Sequence, residues 1–415
     1  MHVCVIGAGV IGVTTAYSLA KAGHTVTLTD ARERPAEVSS FANGGQLSYS
    51  YVAPLAGPGV LPNVPGWLLR QESPLRFRPR MDVHQWRWSL AFVQACRASV
   101  SDETTAQMLR LSYLSRDTMN AWLAETPIEF GHVRNGKIIA YRSPELLEKA
   151  RALVAYQTAR GAEQRVLSAA ETLALEPSLA AMGSDLAGAI FTPGEEAGDC
   201  RLFTEGVFDL LGGLPNVTRT MSNPVRKLRR RGRHIEAVET ALGDIRADAY
   251  VVATGTGSRQ LLSPVGHDVP IYPLKGYSLS VPLADDDITA PSISVTDYER
   301  RIVYARIGRV LRIAAMVDIG SRDAKIDPVR IALLKEQVHA LFPHLDLDRA
   351  VAWAGLRPAT PTGKPLIGKS PAADNLWVNV GQGALGFTLA CGSAALLTRL
   401  IAGTSTPIDA APFEP

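Results

Sequence analysis

The apolar positions at the start of the chain come in two rhythms. His2 to Ile6 is a short, nearly continuous apolar run, which predicts a buried strand. From Val10 to Ala22 apolar residues return at helical spacing, Gly23 ends the helix, and Thr25 to Asp30 predicts a second strand, so the chain opens as βαβ. From Pro54 to Pro79 the rhythm is broken by Pro54, Gly57, Pro58, Gly59, Pro62, Pro65 and Gly66, which predicts a long ordered loop. Residues 82–126 read as helical. Val133 to Tyr141 reads as a strand with a turn at Asn135-Gly136, followed by helix from Pro144 to about Arg160 and again from Ser168 to Leu175.

The period then changes. Val225 to Leu228, Ile235 to Thr240 and Asp244 to Ala247 are short apolar stretches separated by turns, an antiparallel meander that feeds the buried strand Ala249 to Ala253. Tyr272 to Val317 is a second strand-rich zone. The chain closes with a strand over Leu376 to Val380, a Gly-rich turn, and a helix from about Thr388 to Ala402. The fold class expected is α/β with an α+β part.

Composition alters this picture little. With 415 residues, 46% of them hydrophobic, and a formal charge of +3, the chain is an ordinary globular protein, and the charge is too mild to argue for nucleic acid. Cys4, Cys96, Cys200 and Cys391 form no CxxC pair and no metal spacing, so reduced thiols and a cytoplasmic setting are expected. No apolar run is read as long enough to span a bilayer and no leader is read at the N-terminus. A peripheral membrane contact stays open, with Trp67, Trp86 and Trp88 near Leu68, Leu69, Leu90 and Phe92 as the region to watch; core packing is the preferred reading there.

The chemistry starts at Gly7-x-Gly9-x-x-Gly12, placed between a strand and a helix. The first glycine permits the tight turn, the second lets a pyrophosphate approach the backbone, and the third lets helix and strand pack closely. Val10 and Ile11 begin the helix, whose N-terminus offers free N–H groups to phosphate. Asp30, followed by Ala31 and Arg32, ends the second strand where a carboxylate accepts hydrogen bonds from a ribose. FAD is favoured over NAD because the second strand runs into Ser39-Ser40-Phe41-Ala42-Asn43-Gly44-Gly45-Gln46-Leu47. These small residues and bare backbone suit a segment passing under a flat ring. Ala253-Thr254-Gly255 ends the next strand of this kind, and Gly383-Ala384-Leu385-Gly386-Phe387-Thr388 opens the last helix. The N-terminus of that helix would stabilise negative charge on a reduced flavin.

On these stretches, together with Gly198-Asp199-Cys200, Tyr272 to Leu279, Gly355-Leu356-Arg357-Pro358 and Ala390-Cys391-Gly392-Ser393, the sequence resembles the D-amino-acid oxidase-type flavoproteins, specifically the bacterial D-amino-acid dehydrogenase small subunit, nearly end to end. The resemblance implies a Rossmann-like FAD-binding domain (1–75, 196–260 and 355–415) interleaved with an antiparallel-sheet substrate domain (76–195 and 261–354), non-covalent FAD, a cofactor contact near Val225, and oxidation of a D-amino acid with electrons passed to a quinone or respiratory carrier, with oxygen open as the other acceptor. The chain departs from this family at Gly44, at Tyr49-Ser50 and at Thr254 to Gly257. Those departures keep a cyclic secondary amine, such as D-proline or cis-4-hydroxy-D-proline, open as substrate. An electron-relay subunit of a larger complex is the rival of another class.

An amino acid needs its carboxylate anchored, and arginine does that with a planar fork. The family motif places this role on Arg357, with a structural ion pair as the competing reading. Tyr51, Tyr277, Tyr298 and Tyr304 fall where pocket walls are expected, Tyr277 and Tyr51 first, although core packing is at least as good a reading of each. The charged run Arg226 to Arg233 is read as a solvated hairpin tip. No histidine spacing suggests a metal.

Overall fold

The computed structural model describes residues 1–60, 73–159 and 161–415. Its first sheet has six strands, in the order Leu366–Lys369, Leu376–Val380, Ala249–Val252, His2–Ile6, Thr25–Thr29 and Val217–Thr220. His2–Ile6 lies inside it with parallel partners on both sides, Ala249–Val252 and Thr25–Thr29, and only Leu366–Lys369 runs antiparallel to its neighbour. Residues Val3 to Ile6 are fully buried because helices cover one face and the meander the other. This is how a parallel sheet earns a continuous apolar run.

The helices Val10–Lys21, Cys200–Gly212 and Gly386–Ile401 pack on one face, and Ala98–Glu125 packs across Gly386–Ile401 through Leu111 and Ser115, which lie against Gly392. The helix expected over 82–126 is thus two, Val83–Ala95 and Ala98–Glu125, broken at Cys96-Arg97. The second of these, expected with the substrate half, buries Met108, Leu109, Met119 and Trp122 in the core that covers the six-stranded sheet. Contrary to the reading that no apolar run is long enough, Gly383–Ile401 has 19 residues and a mean hydropathy of 1.6. Its burial against two helices marks it as a core helix, since a buried helix and a bilayer span need the same composition.

The second sheet is large and mostly antiparallel. Its order is Val351–Ala359, Tyr272–Pro282, Val310–Ile319, Ile302–Ile307, Ser294–Asp297, Lys137–Tyr141, Gly188–Thr192 and Arg165–Ser168, with Leu75–Phe77 added beside Val310–Ile319. The boundary expected at 355 falls inside Val351–Ala359, which pairs along its length with Tyr272–Pro282, so the chain crosses between the halves within one strand. One face of this sheet packs Ile138, Ala140, Leu279, Val281, Leu311 and Ile313 against the helix Pro328–Leu341. By alternation the other face carries Ile139, Ser278, Arg312 and Arg357, and it is this face that meets the first sheet's Gly-rich turns.

The meander stands as expected, in strands Val225–Arg231, His234–Thr240 and Gly243–Ile245, with Arg229, Arg231 and Arg233 paired to Asp244, Glu236 and Asp374 around the exposed tip. Trp88 is buried and its indole N–H donates to the Ala359 carbonyl, as core packing requires. Trp86 and Leu90 do not follow that reading: they stand in solvent. Trp67, Leu68, Leu69, Pro62, Pro65, Gly66 and Arg160 lie outside the described residues.

Candidate active site

The first turn is built so that no side chain fits. Gly7 has φ +110°, and a β-carbon there would stand 2.7 Å from the Ala253 carbonyl oxygen; one on Gly12 would stand 1.7 Å from the Gly7 oxygen. Both positions exclude any residue but glycine, and the backbone is left bare where a pyrophosphate approaches. The helix Val10–Lys21 has no side-chain cap at Gly9 and no acid in its first turn, and Gly386–Ile401 likewise has neither. Two helix N-termini therefore keep positive dipole ends for an outside anion, although the Val10 N–H is itself taken by the Ser40 hydroxyl. Phe387 buries its ring in the core beneath and Ala384 stands in solvent, so this turn offers backbone more than side chains.

Asp30 braces the first turn. One carboxylate oxygen accepts from the Ala8 N–H at 2.6 Å and the other from the Arg32 N–H at 2.7 Å. Each oxygen keeps a second lone pair for a ribose hydroxyl. Beside it, the N–H groups of Ser222 and Asn223 donate to the carbonyls of Arg32 and Asp30. That places the start of the meander at Val225, and the exposed residues Ala31 and Arg32, at the edge of the same cleft.

The segment from Ser39 to Ser48 ties this turn to the large sheet. The Ser40 hydroxyl accepts from the Val10 N–H at 3.1 Å, and the Ser39 hydroxyl donates to the Leu356 carbonyl at 2.7 Å. The Ala42 carbonyl accepts from Ser278, and the Asn43 carbonyl from Arg312, whose other nitrogen pairs with Asp199 at 3.0 Å. Gly44 lies against Ala314, and Gly45 at φ +66° leaves no room for a β-carbon beside Ile307. The Gln46 side-chain amide donates to the Tyr304 carbonyl, and Leu47 is fully buried. The Ser48 N–H donates to the Thr388 hydroxyl in the first turn of the last helix.

Arg357 completes the cleft. A backbone bridge between Ala359 and Gln382 brings the Gly383 turn alongside its strand, and Gly255 (φ +55°, next to Thr254) lies against Pro358. The guanidinium lies over Gly276 and donates to the Met316 carbonyl at 3.1 Å. Among the described residues no carboxylate pairs with it. Burial without a counter-charge lowers its pKa to about 10, yet part of its surface remains open to water. A guanidinium with no counter-charge that keeps part of its surface open is a strong site for a carboxylate. Met316 is itself in the left-handed region, φ +66°, at the irregularity opposite Lys275 to Tyr277, a strained position of the kind kept at working sites.

The tyrosines divide. Tyr277 is on the opposite face of its strand: its hydroxyl donates to Asp318 at 2.9 Å, within a group that holds Arg76 and Arg330. Tyr304 also points into that far-side core, stacked edge-on against Phe342, and offers the cleft only its carbonyl. Period two decides both cases, since Ser278 and Ala305 are the residues of those strands that face the cleft. Tyr51 and Tyr298 remain on the cleft side with Tyr141.

Lys137 and Glu195 went unread in the sequence. Lys137 is buried, donates to the Ser48 hydroxyl at 2.9 Å and lies 4.3 Å over the Tyr51 ring; Glu195 is buried and accepts from the Ser50 N–H at 2.7 Å. Burial lowers the lysine to about 8 and raises the carboxyl to about 7, each opposed by the charge of the other. The signal available was a lone charge opening the apolar run Lys137-Ile138-Ile139-Ala140-Tyr141.

Residues 2–400 match the family model described as FAD dependent oxidoreductase, DAO. Over its full length the chain is 49% identical to a protein named D-amino acid dehydrogenase 2 from Ralstonia nicotianae, covering 99% of that protein, and over 98% of its length it is 48% identical to one of the same name from Pseudomonas aeruginosa, covering 96%. Among solved structures, glycine oxidase from Geobacillus kaustophilus superposes with a TM-score of 0.78 at 22% identity (99% of this chain, 97% of that one). L-proline dehydrogenase from P. horikoshii superposes with 0.77 at 16% identity (100% and 96%). At those identities the likeness is one of fold.

Proposed function

The chain belongs to the DAO family of FAD-dependent oxidoreductases, and on that premise we propose that it oxidises a D-amino acid to its imine, which water hydrolyses to a 2-oxo acid and ammonia. The observation that carries this reading is the unpaired Arg357 guanidinium beside the Gly383 turn, in a chain 49% identical to a D-amino acid dehydrogenase. The turns at Gly7, Asp30, Ser39 to Gln46 and Gly383 to Thr388 would hold FAD, which would supply the hydride acceptor that amino-acid side chains do not provide. Arg357 grips the substrate carboxylate bidentately and so fixes where Cα lies. The start of the last helix favours the negative charge that reduction brings. The amine loses one proton before hydride departs and needs no strong base if it binds neutral. The electrons pass on to a quinone or respiratory carrier.

The test is an anaerobic screen of D- and L-amino acids for bleaching of the flavin absorbance, with D-proline and cis-4-hydroxy-D-proline among the compounds. Bleaching by D-enantiomers is the expected result, and turnover of the purified chain with an artificial dye separates an enzyme from an electron relay. Bleaching confined to L-amino acids, or by none of the compounds, overturns the proposal.

A further inference from the structure

Beyond Arg357, the same face of the large sheet carries a second convergence of polar groups. Tyr141 and Tyr298 stand with ring centroids 4.6 Å apart, and Tyr51 joins them in one apolar cluster. None of the three hydroxyls has a hydrogen-bond partner among the described residues. The Arg301 guanidinium lies 4.8 Å over the Tyr298 ring and, among the described residues, pairs with no carboxylate. Burial raises the phenols of Tyr51 and Tyr141, with the Glu299 carboxylate adding to the rise at Tyr141, while the charge of Arg301 pulls both back, so the guanidinium is within electrostatic reach of both hydroxyls. Arg301 is held at φ +57° and Met316 at φ +66°. The pairing of Ile302 with Ala315 sets these two left-handed residues side by side. The Met316 carbonyl is also the acceptor for Arg357. From the strand of Gly276, over which Arg357 lies, to the strand that follows Arg301 is two strand spacings, about 10 Å, and the strands that lead to Tyr298 and hold Tyr141 lie one and two spacings further along the same sheet. Arg301 is thus the member of the group nearest Arg357, at a separation that suits a small molecule gripped at both ends.

We infer that Tyr51, Tyr141, Tyr298 and Arg301 form the subsite for the substrate's side chain, and that the side chain it takes ends in an oxygen acceptor, a carboxylate above all. The inference rests on the D-amino-acid reading, with Arg357 holding the α-carboxylate. Phenol hydroxyls without partners donate to oxygen, the rings flank the methylenes, and the exposed guanidinium supplies the charge at the mouth. An apolar side chain leaves those donors unpaired, and that loss discriminates between substrates of equal length.

The FAD-loaded enzyme is titrated calorimetrically with glutarate and with pentanoate, which share chain length and one carboxylate. Glutarate should bind about tenfold or more tighter, the scale of a charge-assisted hydrogen bond. Arg301→Met and Tyr298→Phe should each shrink that ratio toward one, with flavin spectrum and Tm as checks of folding. In turnover, the ratio of D-glutamate to D-norvaline should shrink in parallel. Equal binding of the two acids by the wild type overturns the subsite. So does an Arg301→Met enzyme that loses both acids alike, because Arg301 would then hold the shared carboxylate. If glutarate is preferred but no D-amino acid bleaches the flavin, the functional reading fails and the subsite stands. If D-norvaline bleaches it and glutarate has no advantage, the reverse holds.

Discussion

Arg357 lies in the space that a side chain on Gly276 would fill: a β-carbon there would stand 2.3 Å from the Arg357 Nη2 atom. Glycine at 276 is thus required by the guanidinium above it. Gly276→Ala should displace the fork while leaving the flavin turns intact. We expect normal FAD content and a loss in kcat/KM of tenfold or more, since small misplacements of a positioning group are costly. Unchanged kinetics would show that the arginine moves aside at no cost.

Arg357→Lys keeps the charge and loses the fork, and should already be a poor enzyme; Arg357→Ala should bind FAD and lose activity steeply. The amide of a good substrate should be nearly inert with the wild type and lose little more with the mutant. Equal damage to acid and amide would make Arg357 structural.

Tyr277→Phe should leave turnover unchanged and lower Tm. The hydroxyl serves Asp318, and its removal takes one hydrogen bond, worth about 1 kcal/mol, from a carboxylate that keeps Arg76 and Arg330. A fall in kcat at constant stability would return Tyr277 to the reaction.

Asp30→Ala should weaken FAD retention and lower Tm together, because the carboxylate holds the N–H groups of Ala8 and Arg32 at the base of the turn. The ranking of substrates should not change. Acid precipitation of wild type and mutant should release FAD into the supernatant; colour retained in the pellet would contradict non-covalent binding.

The buried pair Lys137–Glu195 gives a pH signature. The Glu195 carboxyl is raised from 4.5 to about 7, so between those values the folded protein holds more protons than the unfolded chain, and stability falls as pH rises through them. Lys137 is lowered from 10.5 to about 8, so there the unfolded chain holds more protons and stability is regained as pH rises from about 8 to 10.5. Denaturant titrations at fixed excess FAD should show wild type dipping near pH 7 to 8 relative to the Lys137→Met, Glu195→Gln double mutant. A flat difference across pH 5 to 10 would mean that the pair titrates normally.

What the sequence determined was local. The glycines at 7, 9 and 12, the acid at 30 and the apolar runs around them are constraints between residues close in the chain, where steric exclusion at Gly7 and Gly12 and strand or helix period act directly. The meander was legible for the same reason: its turns and alternation lie within a few residues of each other. Arg357 stood out because its motif is contiguous.

The tertiary structure decided which face each residue of the large sheet presents. Tyr277 and Tyr304 read equally well as wall or core, and only pairing with distant strands sends them away from Arg357, since in a strand a single step in register reverses the side. It also decided that Lys137 meets Ser48 across 89 residues, that Glu195 meets the Ser50 N–H across 145, and that Arg301 comes to lie beside Met316. No local pattern records such contacts: they exist because the chain crosses between two sheets several times, and each crossing sets together side chains whose own neighbourhoods in the sequence are unremarked.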